Sequence, residues 1–294
     1  MILPGIELHT PRTLDEALKL LAKLKDTRIV AGGTDLLVDL KQGLVEAETL
    51  ISLQKIKELK KIEKKEQKIR LGAMVTPQEI ITHPLIKKHL PALAEAARCI
   101  ASTQIRSMAT VGGNIASAVP SADLPPTLIA AEASVELQCT ESFREVNLLE
   151  FYTGPRLTIC RDEELLTSIF IPISPPNTGI SFLKFSLREA NALAVVSVAS
   201  RITLEKNIIS KATVVLGAVA PTPLLALKAS ESLEGKKPSP GLFDKAADTA
   251  KEEAKPISDI RGSIWYRKEL IQVLTRRSLT ESLKRAQGVS RLNQ

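Results

Sequence analysis

Two short glycine-rich stretches hold the residues of this chain whose types and spacing could do chemistry. Residues 30–36 read VAGGTDL and residues 110–114 read TVGGN. Glycine has no Cβ, so its backbone adopts positive φ angles and lets a ligand approach to contact distance. Successive N–H groups can then converge on an anion, and a diphosphate suits such a concavity. Two stretches of this kind predict one extended dinucleotide that is held from both sides.

A single Gly-Gly turn is more often an ordinary turn than a ligand site. The elements on either side of each stretch therefore decide whether it is predicted to bind a ligand. Residues 28–30 are typical of a strand and residues 36–40 of a helix start. The first stretch therefore lies where backbone donors gather. Residues 91–100 predict a helix that leads into the second stretch. Thr34 and Asn114 offer neutral hydrogen bonds at helix starts.

Strands and helices alternate through the first part of the chain. Thr13 and Thr76 each begin a capping signature and predict helix starts. A hairpin is predicted at 61–72, and further strands at 49–53, 134–139, 144–147 and 164–171.

A domain boundary is predicted at residues 174–179, SPPNTG, because paired prolines and a glycine cannot continue a helix or a central strand. Strands are predicted beyond it at 180–185, 194–203 and 212–220, and helices near 224–233, 241–253 and 263–279. Strands followed by helices predict an α+β layer.

Composition narrows the class of protein. The 294 residues, 44% hydrophobic, can bury a sizeable core. Cys99, Cys139 and Cys160 lie far apart without a CxxC pair, so we expect reduced core thiols and no metal site. The N-terminus lacks the pattern of a secretion signal, which together with the thiols predicts a cytoplasmic protein. The uncharged residues 165–183 contain three prolines and a glycine, so no membrane span is expected.

The net charge of +7 is unevenly spread. Residues 55–70 hold eight basic and three acidic side chains, and residues 261–291 hold eight and two. Nine aromatic residues are too few and too scattered for base stacking, and no nucleic-acid motif accompanies the charge. The pattern therefore favours solvated faces or a partner surface over nucleic acid.

Three motifs occur in an order that says more than either glycine pair. AGGTDL stands near residue 30, QIRSMATVGGNIASAVPSADL at 104–124 and DIRGSIWYRK at 259–268. The chain resembles the FAD-binding (medium) subunit of the molybdenum hydroxylases, the family of xanthine dehydrogenase and aerobic carbon monoxide dehydrogenase, over essentially its whole length.

The resemblance implies an α+β fold with two parts. Residues 1–174 would form a vanillyl-alcohol-oxidase-like (PCMH-type) FAD-binding domain, with subdomains at about 1–55 and 56–174. Residues 179–285 would form a small C-terminal domain of the carbon monoxide dehydrogenase flavoprotein type, followed by a tail at 286–294. We expect the last residues, 288–294, to be disordered.

The resemblance also implies the residues that contact FAD. The first turn would wrap the diphosphate, the second would do so from the opposite side, and Asp123 would bind a sugar or ribityl hydroxyl. A strand-edge leucine and a lysine would complete the contacts. The full set is Val30, Ala31, Gly32, Gly33, Thr34, Asp35, Leu36, Thr110, Gly112, Gly113, Asn114, Asp123, Leu166 and Lys184.

The chemistry of three of these residues leaves alternatives open. Asp35 would repel a diphosphate, and a helix N-cap role is at least as reasonable. Asp123 precedes Leu-Pro-Pro, which is also ordinary helix-start chemistry. Lys184 could place a cation near the cofactor or simply occupy the solvated face of an edge strand.

The function implied is electron transfer. The chain would accept electrons from [2Fe–2S] centres of a small partner subunit and pass them to NAD or another acceptor, while substrate is oxidised at a molybdenum cofactor in a large subunit. Residues 188–194 fall where family members differ by acceptor, and the usual family arrangement is a dimer of heterotrimers. The alternatives are a self-sufficient FAD oxidoreductase and a basic, non-enzymatic interaction protein with structural glycine turns.

Overall fold

A small parallel sheet opens the chain in the structure, a computed structural model that describes residues 5–288. Its three strands, in the order β1-β3-β2, are β1 (Glu7–His9), β2 (Thr27–Val30) and β3 (Thr49–Ser52). Helix α1 (Leu14–Lys23) joins β1 to β2, and α2 (Leu36–Gln42) joins β2 to β3. The Thr13 hydroxyl caps α1 by accepting from the Glu16 amide, and the Glu16 carboxylate accepts from the amide of Arg12. In the predicted capping box the Glu16 side chain would accept from the amide of Thr13, but it accepts from Arg12, one residue earlier.

An antiparallel five-stranded sheet follows, in the order β4-β5-β10-β6-β7. Its strands are β4 (Ile62–Lys65), β5 (Lys68–Gly72), β6 (Ser134–Gln138), β7 (Phe143–Asn147) and β10 (Leu165–Pro172). A short pair, β8 (Tyr152–Gly154) and β9 (Leu157–Thr158), lies between β7 and β10 in the chain. The predicted hairpin and strands of this region are confirmed to within two residues at each end.

Six short helices connect β5 to β6. They are α3 (Pro77–Thr82), α4 (Pro84–His89), α5 (Pro91–Arg98), α6 (Thr103–Met108), α7 (Val111–Ala116) and α8 (Leu124–Ala130). Thr76 and Glu79 form both bonds of the predicted capping box at α3. Asp123 precedes α8, but its side chain makes no capping hydrogen bond. The whole of α8 is buried.

The C-terminal layer is an antiparallel sheet covered by helices. Its strands run in the order β11 (Thr178–Phe185), β12 (Val196–Glu205), β13 (Ile208–Gly217) and β14 (Leu224–Leu225). The helices are α9 (Leu227–Glu231), α10 (Pro240–Glu253) and α11 (Ile264–Ala286). The helix predicted at 224–233 is a two-residue strand followed by a short helix, and α11 continues seven residues beyond its predicted end. Of the predicted tail, 289–294 lie outside the described residues, as do 1–4 at the N-terminus.

Serines explain how α11 lies so close to the sheet. Ser278 and Ser282 of α11 are fully buried and share hydrogen bonds with Ser181 of β11 and Ser200 of β12. Such small side chains bring the backbones together, and the hydroxyls satisfy one another. A Cβ added at Gly179 of β11 would stand 2.0 Å from the carbonyl oxygen of Ser282. Glycine is required there by packing.

The principal hydrophobic core crosses the predicted boundary at 174–179. Most of its members come from the five-stranded sheet and from helices α3 to α8. Ile180 and Phe182 of β11, Ala199 of β12 and Val215 of β13 belong to the same cluster. Helices α5 and α8 pack against the C-terminal sheet and supply the contact.

The basic residues of the C-terminal stretch are mostly paired within the chain. Arg291 lies outside the described residues, and five of the other seven basic side chains contact carboxylates: Arg261 and Arg267 with Asp259, Lys268 with Glu252, Arg276 with Asp244, and Arg285 with Glu95. These ion pairs within the chain account for most of the basic charge of this stretch, so a partner chain is not needed to explain it. Within residues 5–288, no helix has the length and apolar character needed to cross a membrane.

We expect Gly179→Ala to lower the free energy of unfolding by about 1–3 kcal/mol, because the new methyl group overpacks the contact with α11. Gly241→Ala, in the first turn of α10, is the matched control, since its Cβ would meet nothing within 4 Å. Urea unfolding of the two variants and the wild type measures the difference. Equal midpoints for all three would contradict the packing argument.

Candidate cofactor-binding site

A cavity of about 630 Å³ lies between the two glycine stretches. Ala31, Gly32, Gly33, Thr34, Asp35 and Leu36 line one side of it, and Thr110, Gly113 and Asn114 line another. Asp123 and residues 191–193 also reach it. Its volume falls within the range of small-molecule and cofactor sites. The structure thus brings together ten of the fourteen sequence-predicted contact residues around one space.

The two stretches touch through their backbones. A Cβ on Gly32 would lie 2.0 Å from the carbonyl oxygen of Met108, just before the second stretch. Gly33 has φ +73°, the left-handed region that glycine adopts without strain. Glycine is therefore required at position 32 because the two backbones approach each other closely, and at position 33 because φ is positive.

Backbone donors are available at the first stretch. Within residues 5–288, the amides of Gly32, Gly33 and Thr34 donate to no protein acceptor. They stand between the end of β2 and the start of α2. Three neighbouring unpaired N–H groups beside a cavity suit the oxygens of an anion.

The second stretch differs from the expected anion cradle. Val111 and Gly112 donate their amides to the carbonyls of Val75 and Ala73, at 2.8 and 2.9 Å. The Gly113 amide donates to the Thr110 hydroxyl at 3.0 Å, which caps α7. Neither glycine has positive φ, because both lie within α7. Gly113 therefore contributes open space, and the side chain of Asn114 remains to contact a ligand.

A buried ion pair lies at the cavity wall. Lys184 Nζ stands 2.8 Å from Asp123 Oδ2 and also donates to the carbonyls of Cys99 and Ala192. The Lys184 and Asp123 side chains are 5% and 9% exposed. Burial raises the pKa of Asp123 to about 6, although Lys184 beside it acts in the opposite direction. The sequence left open a helix-capping role for Asp123 and a solvated Lys184. In the structure the Asp123 side chain makes no capping bond and Lys184 is buried.

Two buried oxygens at the cavity have no partner among the described residues. They are Oδ1 of Asn114 and Oδ1 of Asp123. Leaving such an acceptor unsatisfied costs about 1–3 kcal/mol, so buried polar atoms normally have partners. Both residues line the cavity. A ligand that carries hydroxyl groups would satisfy both oxygens.

Four predicted contact residues do not line the cavity. Val30 ends β2 and packs with Leu40 and Leu50. A Cβ on Gly112 would meet Ala73 at 2.7 Å, so this glycine is needed for helix packing. Leu166 is buried in the main core. Lys184 reaches the site through Asp123 and Ala192.

Sequence reasoning missed a second ion pair at the cavity. Arg156 Nη1 stands 2.7 Å from Asp39 Oδ2, and both residues line the site. Burial raises the pKa of Asp35, the neighbouring Asp39 raises it further, and Arg156 opposes both. The signal in the sequence for this pair was the spacing of Asp39, which lies one helical turn after Asp35. Arg156 comes from the turn between β8 and β9, and nothing in its local sequence marks it.

We expect the stability of the cofactor-free chain to depend on Asp123 between pH 4 and 6. The folded chain keeps this proton up to about pH 6, whereas the unfolded chain loses it near the ordinary aspartate pKa of 3.8. The folded state thus binds more protons in this window, and its free energy of unfolding falls as the pH rises, by about 3 kcal/mol from this group. Asp123→Asn should remove that part of the slope.

Urea unfolding at several pH values between 4 and 7 measures both slopes. The difference between the two proteins isolates Asp123, because the other carboxylates are common to both. Parallel curves across this window would contradict the assignment.

Comparisons with known proteins agree with this geometry. A family model described as the FAD binding domain in molybdopterin dehydrogenase matches residues 4–174. One described as the CO dehydrogenase flavoprotein C-terminal domain matches residues 181–282. The chain is 32% identical to the carbon monoxide dehydrogenase medium chain of Hydrogenophaga pseudoflava, covering 97% of this chain and 99% of that one. It is also 32% identical to the glyceraldehyde dehydrogenase medium chain of Sulfolobus acidocaldarius, covering 92% and 95%.

Solved structures give the same result. A chain of carbon monoxide dehydrogenase from Hydrogenophaga pseudoflava superposes with a TM-score of 0.93 at 32% identity, covering 97% of this chain and 99% of that one. A chain of quinoline 2-oxidoreductase from Pseudomonas putida 86 does so with 0.91 at 30% identity, covering 98% and 99%. The predicted family, fold class and cofactor are confirmed. The chain belongs to the FAD-binding medium subunits of the molybdenum hydroxylases, a family of oxidoreductases, and its cofactor is FAD.

Proposed function

We propose that this chain is the electron-transfer subunit of a heteromeric molybdenum hydroxylase, accepting electrons from [2Fe–2S] centres of a small partner subunit and passing them to NAD or another acceptor. The observation that carries the proposal is the cavity between the glycine stretches, where free amides and two unpartnered oxygens meet. FAD, when bound, supplies the redox chemistry, so the chain itself needs no catalytic triad.

The residues present fit FAD. Its diphosphate needs short donors, which the amides of Gly32, Gly33 and Thr34 provide. Its ribityl and ribose hydroxyls can donate to the free Oδ1 atoms of Asn114 and Asp123. Lys184 holds the Asp123 carboxylate in place through its other oxygen. Of the remaining predicted contacts, Ala31, Asp35, Leu36, Thr110 and Gly113 line the walls of the site, whereas Val30, Gly112 and Leu166 lie behind them.

We place substrate oxidation and the metal centres on partner subunits. The relatives named above are medium chains, a term for one component of a larger enzyme. Within residues 5–288, no group of three or more His, Cys, Asp or Glu side chains could hold a metal ion. The proposal accordingly assigns the molybdenum cofactor to a large subunit and the [2Fe–2S] centres to a small one, in a dimer of heterotrimers.

Purification of this chain alone and of the native complex tests the proposal. We expect the isolated chain to carry FAD and the native complex to contain molybdenum and iron, measured by flavin absorbance, mass analysis and metal analysis. A folded chain without flavin would favour the interaction protein. A yellow chain whose flavin is reduced unaided by an organic donor would favour the self-sufficient oxidoreductase.

We expect Gly113→Val to reduce FAD content per chain at least tenfold. The φ angle of Gly113 within α7 permits a side chain, but any Cβ would stand only 2.9 Å from the Thr110 hydroxyl, and the branches of valine would also occupy cavity space. Flavin absorbance per chain measures the loss.

Gly241→Val is the matched control for this substitution. Gly241 also lies in the first turn of a helix, and its Cβ would point into open space. The control should keep its flavin, and circular dichroism should show both variants folded. A Gly113→Val protein as yellow as the wild type would place the cofactor elsewhere.

A further inference from the structure

One wall of the FAD cavity is an irregular segment that is held from outside. Residues 186–195, here called the wall segment, connect β11 to β12 without helix or strand structure. Asn191, Ala192 and Leu193 from its middle line the cavity. An irregular segment keeps one conformation only when other groups fix its backbone, so the bonds to its carbonyls matter.

The wall segment is tied at several points. The Asn191 amide donates to the carbonyl of Ala101, and Arg188 donates to the carbonyl of Asn191. Lys184 Nζ donates to the carbonyl of Ala192 at 2.9 Å. Its last residue, Val195, donates its amide to Phe185, which closes the base of the loop.

Arg267 holds the C-terminal end of this segment from helix α11. Its Nη1 donates to the Val195 carbonyl at 2.6 Å and to the Ala218 carbonyl at 3.1 Å. Its Nη2 donates to Asp259 Oδ1 at 2.8 Å. The Arg267 side chain is only 1% exposed. It does not line the cavity.

The same guanidinium is linked through Ala218 to a second part of the cavity wall. Ala218, whose carbonyl it holds, has φ +63° and donates its amide to the carbonyl of Pro120. Pro120 directly precedes Ser121, which lines the cavity. One buried cation therefore fixes two loops that lead to two parts of the FAD site.

The DIRGSIWYRK motif supplies both halves of this arrangement. Asp259 accepts from Arg267 and also from the side chain and amide of Arg261. The hydrogen bonds from Arg261 hold the pKa of Asp259 well below its ordinary value, and those from Arg267 add to the effect. The Asp259 carboxylate is therefore charged at neutral pH. None of the motif residues lines the cavity, so the site alone leaves the motif without a role.

We propose that Arg267, held by Asp259, is a positioning residue of the FAD site: it fixes the wall segment and the Ala218 turn, and so sets how closely the cavity is shut over the cofactor. The inference rests on the proposed function for the identity of the ligand. Burying a charge is unfavourable unless its bonds are made, and an apolar side chain of similar size would usually pack as well. The planar guanidinium is suited to this position because it reaches the two carbonyls and the carboxylate through two separate nitrogens, whereas a lysine would have to reach all three from a single ammonium nitrogen.

Amide hydrogen exchange of the full chain tests the proposal, with Arg267→Lys as the variant. We expect exchange within residues 186–195 to rise at least tenfold, both in the protein as purified and after FAD is removed. Iodide should also quench the fluorescence of the bound flavin more strongly than in the wild type. FAD content per chain is measured separately, so a chain that never bound FAD is distinguishable from one whose wall segment is not held by Arg267.

Arg201→Lys is the matched control. Arg201 is also a buried arginine paired with a carboxylate, Glu132, and it lies on β12 away from the cavity. Exchange in the wall segment should stay at the wild-type rate in this variant. An equal rise in both variants would show general destabilisation, and no rise in Arg267→Lys would show that other bonds hold the segment; either result overturns the proposal.

Asp259→Asn provides a second route if Arg267→Lys does not fold. It keeps the guanidinium and removes only the charge that orients it. We expect a smaller rise in exchange, confined to residues 186–195 and the Ala218 turn. An Asp259→Asn protein with wild-type exchange in both places would equally overturn the proposal.

Discussion

The contact between the backbone at Gly32 and the carbonyl of Met108 is the constraint on which the site depends. It sets the distance between one wall that follows strand β2 and another that is formed where helix α6 ends and α7 begins, and it leaves no room for a single additional carbon atom. Because the contact is between main chains, no rearrangement of side chains can relieve it. The unpaired amides of the first stretch and the open face of Gly113 are placed relative to one another by this contact.

Two buried cation–carboxylate pairs then shape the rest of the cavity. Lys184 with Asp123 and Arg267 with Asp259 each use one bond for the pair, and each cation also donates to two backbone carbonyls. Buried ion pairs contribute little to stability compared with apolar packing of the same volume. What these pairs contribute here is orientation, because loops without regular structure need hydrogen-bond donors at fixed positions.

The sequence was most informative where a local rule acts alone. Turn chemistry indicates the glycine motifs, and alternation of apolar and polar residues predicts most strands. Capping signals predict the boundaries of the helices near Thr76 and Pro91. The helix predicted to end at Leu279 continues to Ala286, and Ser282 and Ala286 extend its buried face. Hydroxyl groups are buried only where partners from other strands meet them, and a sequence does not show those partners.

The candidate site shows the same division. Gly33 is recognisable as glycine in a turn, and its positive φ agrees with that. The amides of Val111 and Gly112 in the second stretch donate to Val75 and Ala73, residues about forty positions earlier in the chain, so few backbone donors are left for the anion cradle expected there, which stays a prediction. Arg156 and the wall segment reach the cavity only through tertiary structure. Whether the predicted side chains contact FAD directly stays a prediction.

The core that crosses residues 174–179 has a consequence for how the molecule loses its structure. Helix α8 is fully buried and packs against helices α5 and α7 of the first region and against β11, β12 and β13 of the second. Two regions that match separate family models therefore share one apolar interior, and a cut between them would expose its faces to water on both fragments. The shared interior therefore favours cooperative unfolding of the two regions, so that the unit matched by a family model would be smaller than the unit that unfolds.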